Sequence, residues 1–374
     1  MSMTPIAESI AAEFKAWQQS PRADQAALIA SILDGRRPCY VLGRNVHARF
    51  IDTQLALAGF IDDTAAPGER WECLPVLPGD AVPADACVIN AVLHRRPLQA
   101  RRRIHAMAAA PQELAYAELT RHAPERFAPL PFSTAARTAF FEHFDRFADV
   151  GSRLTDPASR TVLRDVMLYR MTADADFMTG YSLRDPEQYF DVGLRFDTPP
   201  RFVDGGAFRG ETTEEFMRRY SDNAGSMLFE PNPDSLARAR ERLAGRGGVE
   251  FHPAALGDRA ETVHFDDSAA NASKVAQQGG LRIEVVPLDS VVREPVHFVK
   301  YDLEGYETKA IDGARRTIQR DHPTLAICVY HDVMDFIDVP RHVLAIRDDY
   351  DLQLRHYTEG WEETVMYFLP RTSR

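Results

Sequence analysis

The run Phe202-Val-Asp-Gly-Gly-Ala-Phe-Arg-Gly210 constrains this chain more than any other stretch. A short apolar segment stops at an acid, and Gly205, Gly206 and Gly210 follow. No Cβ stands in the way at these positions, so the backbone can turn tightly and approach a ligand. Thr212, Thr213, Glu214 and Glu215 then open a helix, and the next apolar run, Met227-Leu-Phe229, ends in Glu230. Strand, glycine turn, helix and a second strand closed by an acid make a nucleoside-binding half-site. The Glu230 carboxylate is placed to accept both hydroxyls of a ribose and to exclude a 2′-phosphate.

A dinucleotide fold would carry G-x-G-x-x-G with an acid about twenty residues further on. Here the pattern is Asp204-x-Gly206-x-x-x-Gly210, with the acid before the glycines and Glu211 directly after them. A pyrophosphate at this helix start would meet Asp204 and Glu211 as like charges, whereas the ammonium of a methionine moiety would be attracted. The pattern favours S-adenosylmethionine over NAD.

The rest of the C-terminal half supplies a sheet. Residues 249–252 read as a third strand, followed by a turn over 253–258 that lies against an adenine edge in this reading. Residues 263–265 and 282–286 read as a small hairpin insertion, and 296–305 as an apolar strand ending in acids and a glycine. Residues 307–318 read as one helix, with Ala310, Ile311, Ala314 and Ile318 on one face. Residues 325–331 read as a strand buried on both faces, and 340–348 as a helix. Strands over 352–357 and 364–369, with Glu359, Gly360 and Trp361 between them, suit an antiparallel pair. Five parallel strands with crossover helices and a terminal hairpin describe an α/β class I methyltransferase sheet, Rossmann-like and mostly parallel.

Several motifs carry a family resemblance: the glycine turn, Phe229-Glu-Pro-Asn-Pro233, Leu288-Asp289, Lys300-Tyr-Asp-Leu-Glu-Gly-Tyr-Glu307, Val329-Tyr-His331, and the stretch from Arg355-His-Tyr357 through Trp361 to Val365. In this order they resemble the FkbM family of S-adenosylmethionine-dependent methyltransferases, over about residues 185–370. The family's fourth-strand motif usually reads Lys-Ile-Asp-Val-Glu-Gly-Ala-Glu; Tyr301, Leu303 and Tyr306 depart from it at its variable places and spare the charges. The resemblance implies methyl transfer to a hydroxyl of a sugar, glycan or natural product.

Ligands of open α/β sheets bind at the carboxyl ends of the strands, and the chemistry needs an aligned acceptor and the removal of one proton. The cofactor set expected there is Asp204, Gly205, Gly206, Ala207, Gly210, Glu230, Pro231, Ala255 and Asp302. The catalytic set is His331, Glu304 and Asp302. His331 is the first choice of base, because histidine titrates near neutrality; a strand-capping histidine is the competing reading. Asp302 and Glu304, two apart, lean to one face for as long as the strand lasts. They suit an acceptor or Mg²⁺, or else backbone amides, the methionine ammonium or Lys300; no residue is assigned as a metal ligand. Lys300 reads as a partner of a neighbouring carboxylate.

The N-terminal half reads as a smaller Rossmann-like α/β domain over 1–130, similar to the accessory domain of some longer FkbM-type and sugar-modifying proteins. Two helices, the second over 24–33, precede strands over 38–43, 60–63 and 86–90 and a helix over 46–57. Its loop from Gly43 to Ala48 lacks the further glycines of a dinucleotide motif, which points to substrate recognition or dimerisation. A helical bridging segment covers 131–198, with helices over 134–147 and 157–171. Tyr189 and Phe190 there are either a lid over the cofactor or packing at a seam. The methyltransferase domain takes 199–374.

A net charge of −11 argues against a nucleic-acid partner, whose backbone is held by cations. Arg95, Arg96, Arg101, Arg102 and Arg103 form the one dense basic cluster, read as a solvated helix face or, alternatively, as contacts to an anionic substrate. The four cysteines match no zinc spacing and read as reduced thiols of a cytoplasmic protein. No apolar run is long enough to span a bilayer. The expected partners are a small-molecule or glycan acceptor, with a homodimer left open. The alternatives are a non-catalytic binding or assembly protein that keeps the fold, and an NAD oxidoreductase, which neither glycine loop fits.

Overall fold

The computed structural model describes residues 5–266, 274–276 and 281–371. The chain forms two compact units. One takes the chain up to Ser152, Arg160–Asp185 and His356–Glu362; the other takes Arg153–Ser159, Pro186–Arg355 and the chain from Glu363 onward.

In the second unit seven strands form one sheet. In spatial order they are Tyr350–His356, Thr364–Pro370, Thr324–Cys328, Phe298–Tyr301, Arg201–Gly205, Gly225–Phe229 and Val249–His252. The last five run parallel to one another, and Thr364–Pro370 runs antiparallel to its neighbour Thr324–Cys328. This is the mostly parallel, Rossmann-like sheet with an antiparallel C-terminal pair that the pattern of apolar runs describes. Three of its inner strands, Gly225–Phe229, Phe298–Tyr301 and Thr324–Cys328, are buried along their whole length, which is why they read as unbroken apolar runs. The strand order reverses between Arg201–Gly205 and Phe298–Tyr301, so the loops leaving these two strands part and open a crevice at the carboxyl edge.

Two local expectations are corrected and a third is extended. The helix expected over 307–318 is two, Glu307–Asp312 and Arg315–Asp321. At Gly313 the chain passes so close to Gly257 that a Cβ would stand 1.9 Å from its carbonyl oxygen. The Asp289 carboxylate then takes the amides of Arg316 and Thr317, both at 2.8 Å, and starts the second helix. The helix expected over 340–348 is Asp335–Leu344, with Pro340 inside it. The two segments of the expected insertion do pair antiparallel, within a separate four-stranded sheet in the order Ala255–Leu256, Leu281–Val286, Glu261–Asp266 and Lys274–Ala276.

The first unit holds a six-stranded sheet in the order Arg70–Trp71, Leu74–Leu77, Gly59–Ile61, Cys39–Leu42, Cys87–Asn90 and Gln112–Leu114. It is parallel apart from the antiparallel first pair. The helix expected over 134–147 is broken at His143 into Pro131–Glu142 and Phe144–Arg153. At the point where this sheet's order reverses, the chain fills its own crevice. Trp361 packs 4.1 Å from Phe132 and 4.4 Å from His94, ring centre to ring centre. Glu359 accepts the Gln99 amide at 2.7 Å at the start of the Pro97–His105 helix, where an anionic ligand would otherwise bind. The arginines of that helix are taken up in ion pairs: Arg101 with Glu113 and Asp176, Arg102 with Glu359, and Arg103 with Asp63.

Candidate functional site

The glycine turn after Arg201–Gly205 is tightly held. Gly206 (φ 70°), Phe208 (φ 49°) and Gly210 (φ 80°) are left-handed, and the amides of Gly206 and Ala207 both donate to the Phe229 carbonyl, at 3.0 and 3.1 Å. The left-handed Phe208 sends its N–H to Glu230 Oε2 at 2.8 Å, and Asn232 donates to Oε1 at 2.8 Å. Burial raises the Glu230 pKa, against these amides and the more distant Lys300. Each carboxylate oxygen therefore has one partner and a lone pair to spare, which fits a vicinal diol. Pro231 follows half-buried. Ala255, also half-buried, pairs with Val285 in the small sheet.

Asp204 does not face a ligand. It is wholly buried, bonded to the Thr213 hydroxyl at 2.8 Å, with Lys300 Nζ 3.2 Å from its other oxygen. The sequence reading of Asp204 as an attractor of an ammonium is thereby corrected: its charge is already cancelled. Lys300 also donates to the carbonyls of Gly205 and Gly206, at 3.2 and 2.7 Å. Burial opposes its charge, but Asp204 and Asp302 outweigh that and raise its pKa. Glu211, likewise, is paired with Arg242 at 2.8 Å.

Asp302 and Glu304 lie beyond the strand, which ends at Tyr301, so no shared strand face brings them together. A turn does, with Glu304 left-handed (φ 53°) and Gly305 at φ 92°. Both carboxylates approach His331 Nε2, at 3.4 and 3.6 Å, while Glu307 stands 3.0 Å from Nδ1. His331 itself lies past the end of its strand, at Cys328. Burial works against its charge, yet Glu307, then Asp302 and Glu304, push its pKa up to about 10. This corrects the expectation of an imidazole titrating near neutrality: His331 is a held cation.

Asp302 is the hub. Tyr189 donates to Oδ2 at 3.0 Å and Tyr330 to Oδ1 at 3.1 Å. Burial alone would raise its pKa; Lys300, His331 and the two phenols reverse this and lower it. Tyr189 is left-handed (φ 72°) and buried, accepts from Gln188 Nε2 at 3.0 Å, and touches Cys328 Sγ at 3.4 Å. Gln188 in turn donates to Glu363 at 2.6 Å. Tyr189, read from sequence as a lid or as seam packing, is a hydrogen-bond donor to the site. Tyr330, Gln188 and Glu363 carried no spacing signal of their own.

Asp302, Glu307 and His331 bring one ligand atom each within 4.8 Å of one another. One of the three is an imidazole held as a cation, and Mg²⁺ demands near-octahedral oxygen ligation. The trio does not fit Mg²⁺.

Residues 204–362 match the family model described as the Methyltransferase FkbM domain. No curated protein gives a significant sequence match. Among solved structures, the methyltransferase FkbM from Methylobacillus flagellatus KT is similar over 97% of this chain and 100% of that one, with 21% identity and a TM-score of 0.73. A putative rRNA-methylase from Clostridium thermocellum aligns with 54% of this chain and 94% of its own, at 10% identity and a TM-score of 0.33. Among the described residues no helix is long and apolar enough to cross a membrane. The glycine turn, Glu230, Asp302 and His331 all fall inside the matched segment, whereas Tyr189 lies outside it: residues 204–362 form an FkbM methyltransferase domain.

Proposed function

We propose that the domain is an S-adenosylmethionine-dependent O-methyltransferase acting on a hydroxyl of a sugar, glycan or natural product. The observation that carries this reading is that Asp302, with its amide on the Gly205 carbonyl at 3.2 Å, sets an ionised carboxylate beside the same turn that supplies the diol site at Glu230. When bound, S-adenosylmethionine supplies an electrophilic methyl group on a sulfonium. Glu230 holds the ribose hydroxyls, and the backbone from Gly205 through Ala207 to Gly210 lets the donor lie close. Asp302 accepts the hydrogen bond of the acceptor hydroxyl and would take its proton as the new C–O bond forms and the methyl's C–S bond breaks, the neutral thioether leaving. His331 keeps Asp302 charged and aimed, with Glu304 beside it, so it acts through the carboxylate rather than as a neutral base.

Calorimetric titration with S-adenosylhomocysteine tests the cofactor claim without the acceptor. Wild type is expected to bind, and Glu230→Ala at least tenfold more weakly, about 1.4 kcal/mol. Absence of heat with wild type, together with an unmoved thermal-shift curve, would overturn the reading in favour of a non-catalytic protein that keeps the fold.

A further inference from the structure

We propose that the carboxylate cluster around Asp302 and Glu307 reads the positive charge of the methyl donor, so that the domain holds a cationic donor more tightly than the neutral thioether left after transfer. This rests on S-adenosylmethionine being the donor and deepens that reading.

The charges at the carboxyl end of the Phe298–Tyr301 strand do not balance. Lys300 is committed to Asp204 and to two carbonyls of the glycine turn. Among the described residues His331 is the cation paired with Asp302 and Glu307, at 3.4 and 3.0 Å, and Lys300 also attracts Asp302 without pairing with it; Glu304 adds a further negative charge. Asp204, Asp302 and Glu307 already outnumber the two cations. Glu307 is 1% exposed, and although its Oε1 takes the Leu303 amide at 2.7 Å, its Oε2 has no hydrogen-bond partner among the described residues. A carboxylate oxygen buried without a donor is costly, and nature rarely leaves one without use.

The neighbours agree with an excess of negative charge. Asp335, buried and close to Glu307, has its pKa pushed up to about 7, by burial first and by Glu307 second. The Tyr189 and Tyr330 phenols have pKa values raised above the ordinary phenol range, by burial first and Asp302 second. They stay neutral and add hydrogen bonds to Asp302 without adding cationic charge. A sulfonium entering beside such a cluster gains Coulomb attraction in a partly desolvated place, where it is worth far more than in water. A thioether of the same shape gains none. Position supports the same reading, since the Asp302 carbonyl abuts Gly206 and the cluster borders the turn that receives the donor.

The test is calorimetry at pH 7.5 with two probes, S-adenosylhomocysteine and sinefungin, in which an ammonium replaces the methylsulfonium centre. Wild type is expected to bind sinefungin at least fivefold more tightly than S-adenosylhomocysteine. Asp302→Asn and Glu307→Gln should each bring the ratio to within twofold of unity. Should Glu307→Gln fail to fold, the half-buried Asp302→Asn decides alone. Equal or weaker sinefungin binding by wild type, with S-adenosylhomocysteine still bound, overturns this inference and leaves the cofactor reading standing. A ratio that survives the substitutions overturns it as well. Failure to bind either probe would remove the cofactor reading and this inference together.

Discussion

Gly206 lies so close to Asp302 that a Cβ built on the glycine would stand 1.8 Å from the Asp302 carbonyl oxygen. The contact joins the two loops that part at the switch point of the sheet, and backbone cannot yield as a side chain can.

Gly206→Ala should therefore cost about 2 to 4 kcal/mol in a urea melt, through the clash together with the left-handed φ of 70°, and should abolish S-adenosylhomocysteine binding. Gly305→Ala is the control. Its φ is 92° but nothing lies within 4 Å of its Cβ position, so it should cost only about 1 kcal/mol. Equal costs would mean that the Gly206 contact is not as tight as described.

Lys300→Met should destabilise by about 3 to 5 kcal/mol, because it leaves the fully buried Asp204 carboxylate without its cation. Adding Asp204→Asn should restore part of the loss, as this pair then leaves no uncompensated charge buried. A double variant no more stable than Lys300→Met, measured by denaturant unfolding, would contradict the pairing.

His331→Asn should lower stability at pH 7, by on the order of 2 kcal/mol. The folded pKa of about 10 lies above the unfolded value near ~6.5. The stabilisation is thus complete below about pH 6.5 and disappears as pH rises through about 10. Wild type and variant should converge in chemical melts above pH 10. A constant gap from pH 7 to 10.5 would show that His331 contributes packing and not charge.

His47 and His356 work in the opposite direction. Burial lowers both to about pKa 3, with His94 adding to the effect at His47. Their contribution is fully present above about pH 6.5 and is lost as pH falls towards 3, at up to about 1.4 kcal/mol per pH unit for each. The melting temperature should fall on acidification from pH 6.5 to 4, and the fall should be shallower in His47→Phe. Parallel curves would place the acid sensitivity elsewhere.

Legibility in the sequence followed distance along the chain. Gly206, Gly210 and Glu230 sit within one strand–turn–helix–strand unit, so their spacing carries their geometry. The parallel order was readable because its central strands, Gly225–Phe229, Phe298–Tyr301 and Thr324–Cys328, are buried from end to end. Asp302 was readable as a strand-end acid, but not as a hub: Tyr189 reaches it from 113 residues away. The charge of His331 was hidden for the same reason. It depends on Glu307, in another element, and an isolated histidine gives no hint of it. The division of the 307–318 helix at Gly313 was equally non-local, because the cause is the backbone at Gly257 and the cap at Asp289.

Trp361 and Glu359 complete a unit whose other strands and helices are all encoded before residue 186. During synthesis, then, the segment before residue 186 cannot close its crevice until residue 362 has been made. In the interval, the bare start of the Pro97–His105 helix and the apolar faces of Phe132 and His94 stand open. Chaperone dependence, ribosome pausing and the success of truncated expression should all be governed by that wait, and no single cut in the gene yields either unit whole.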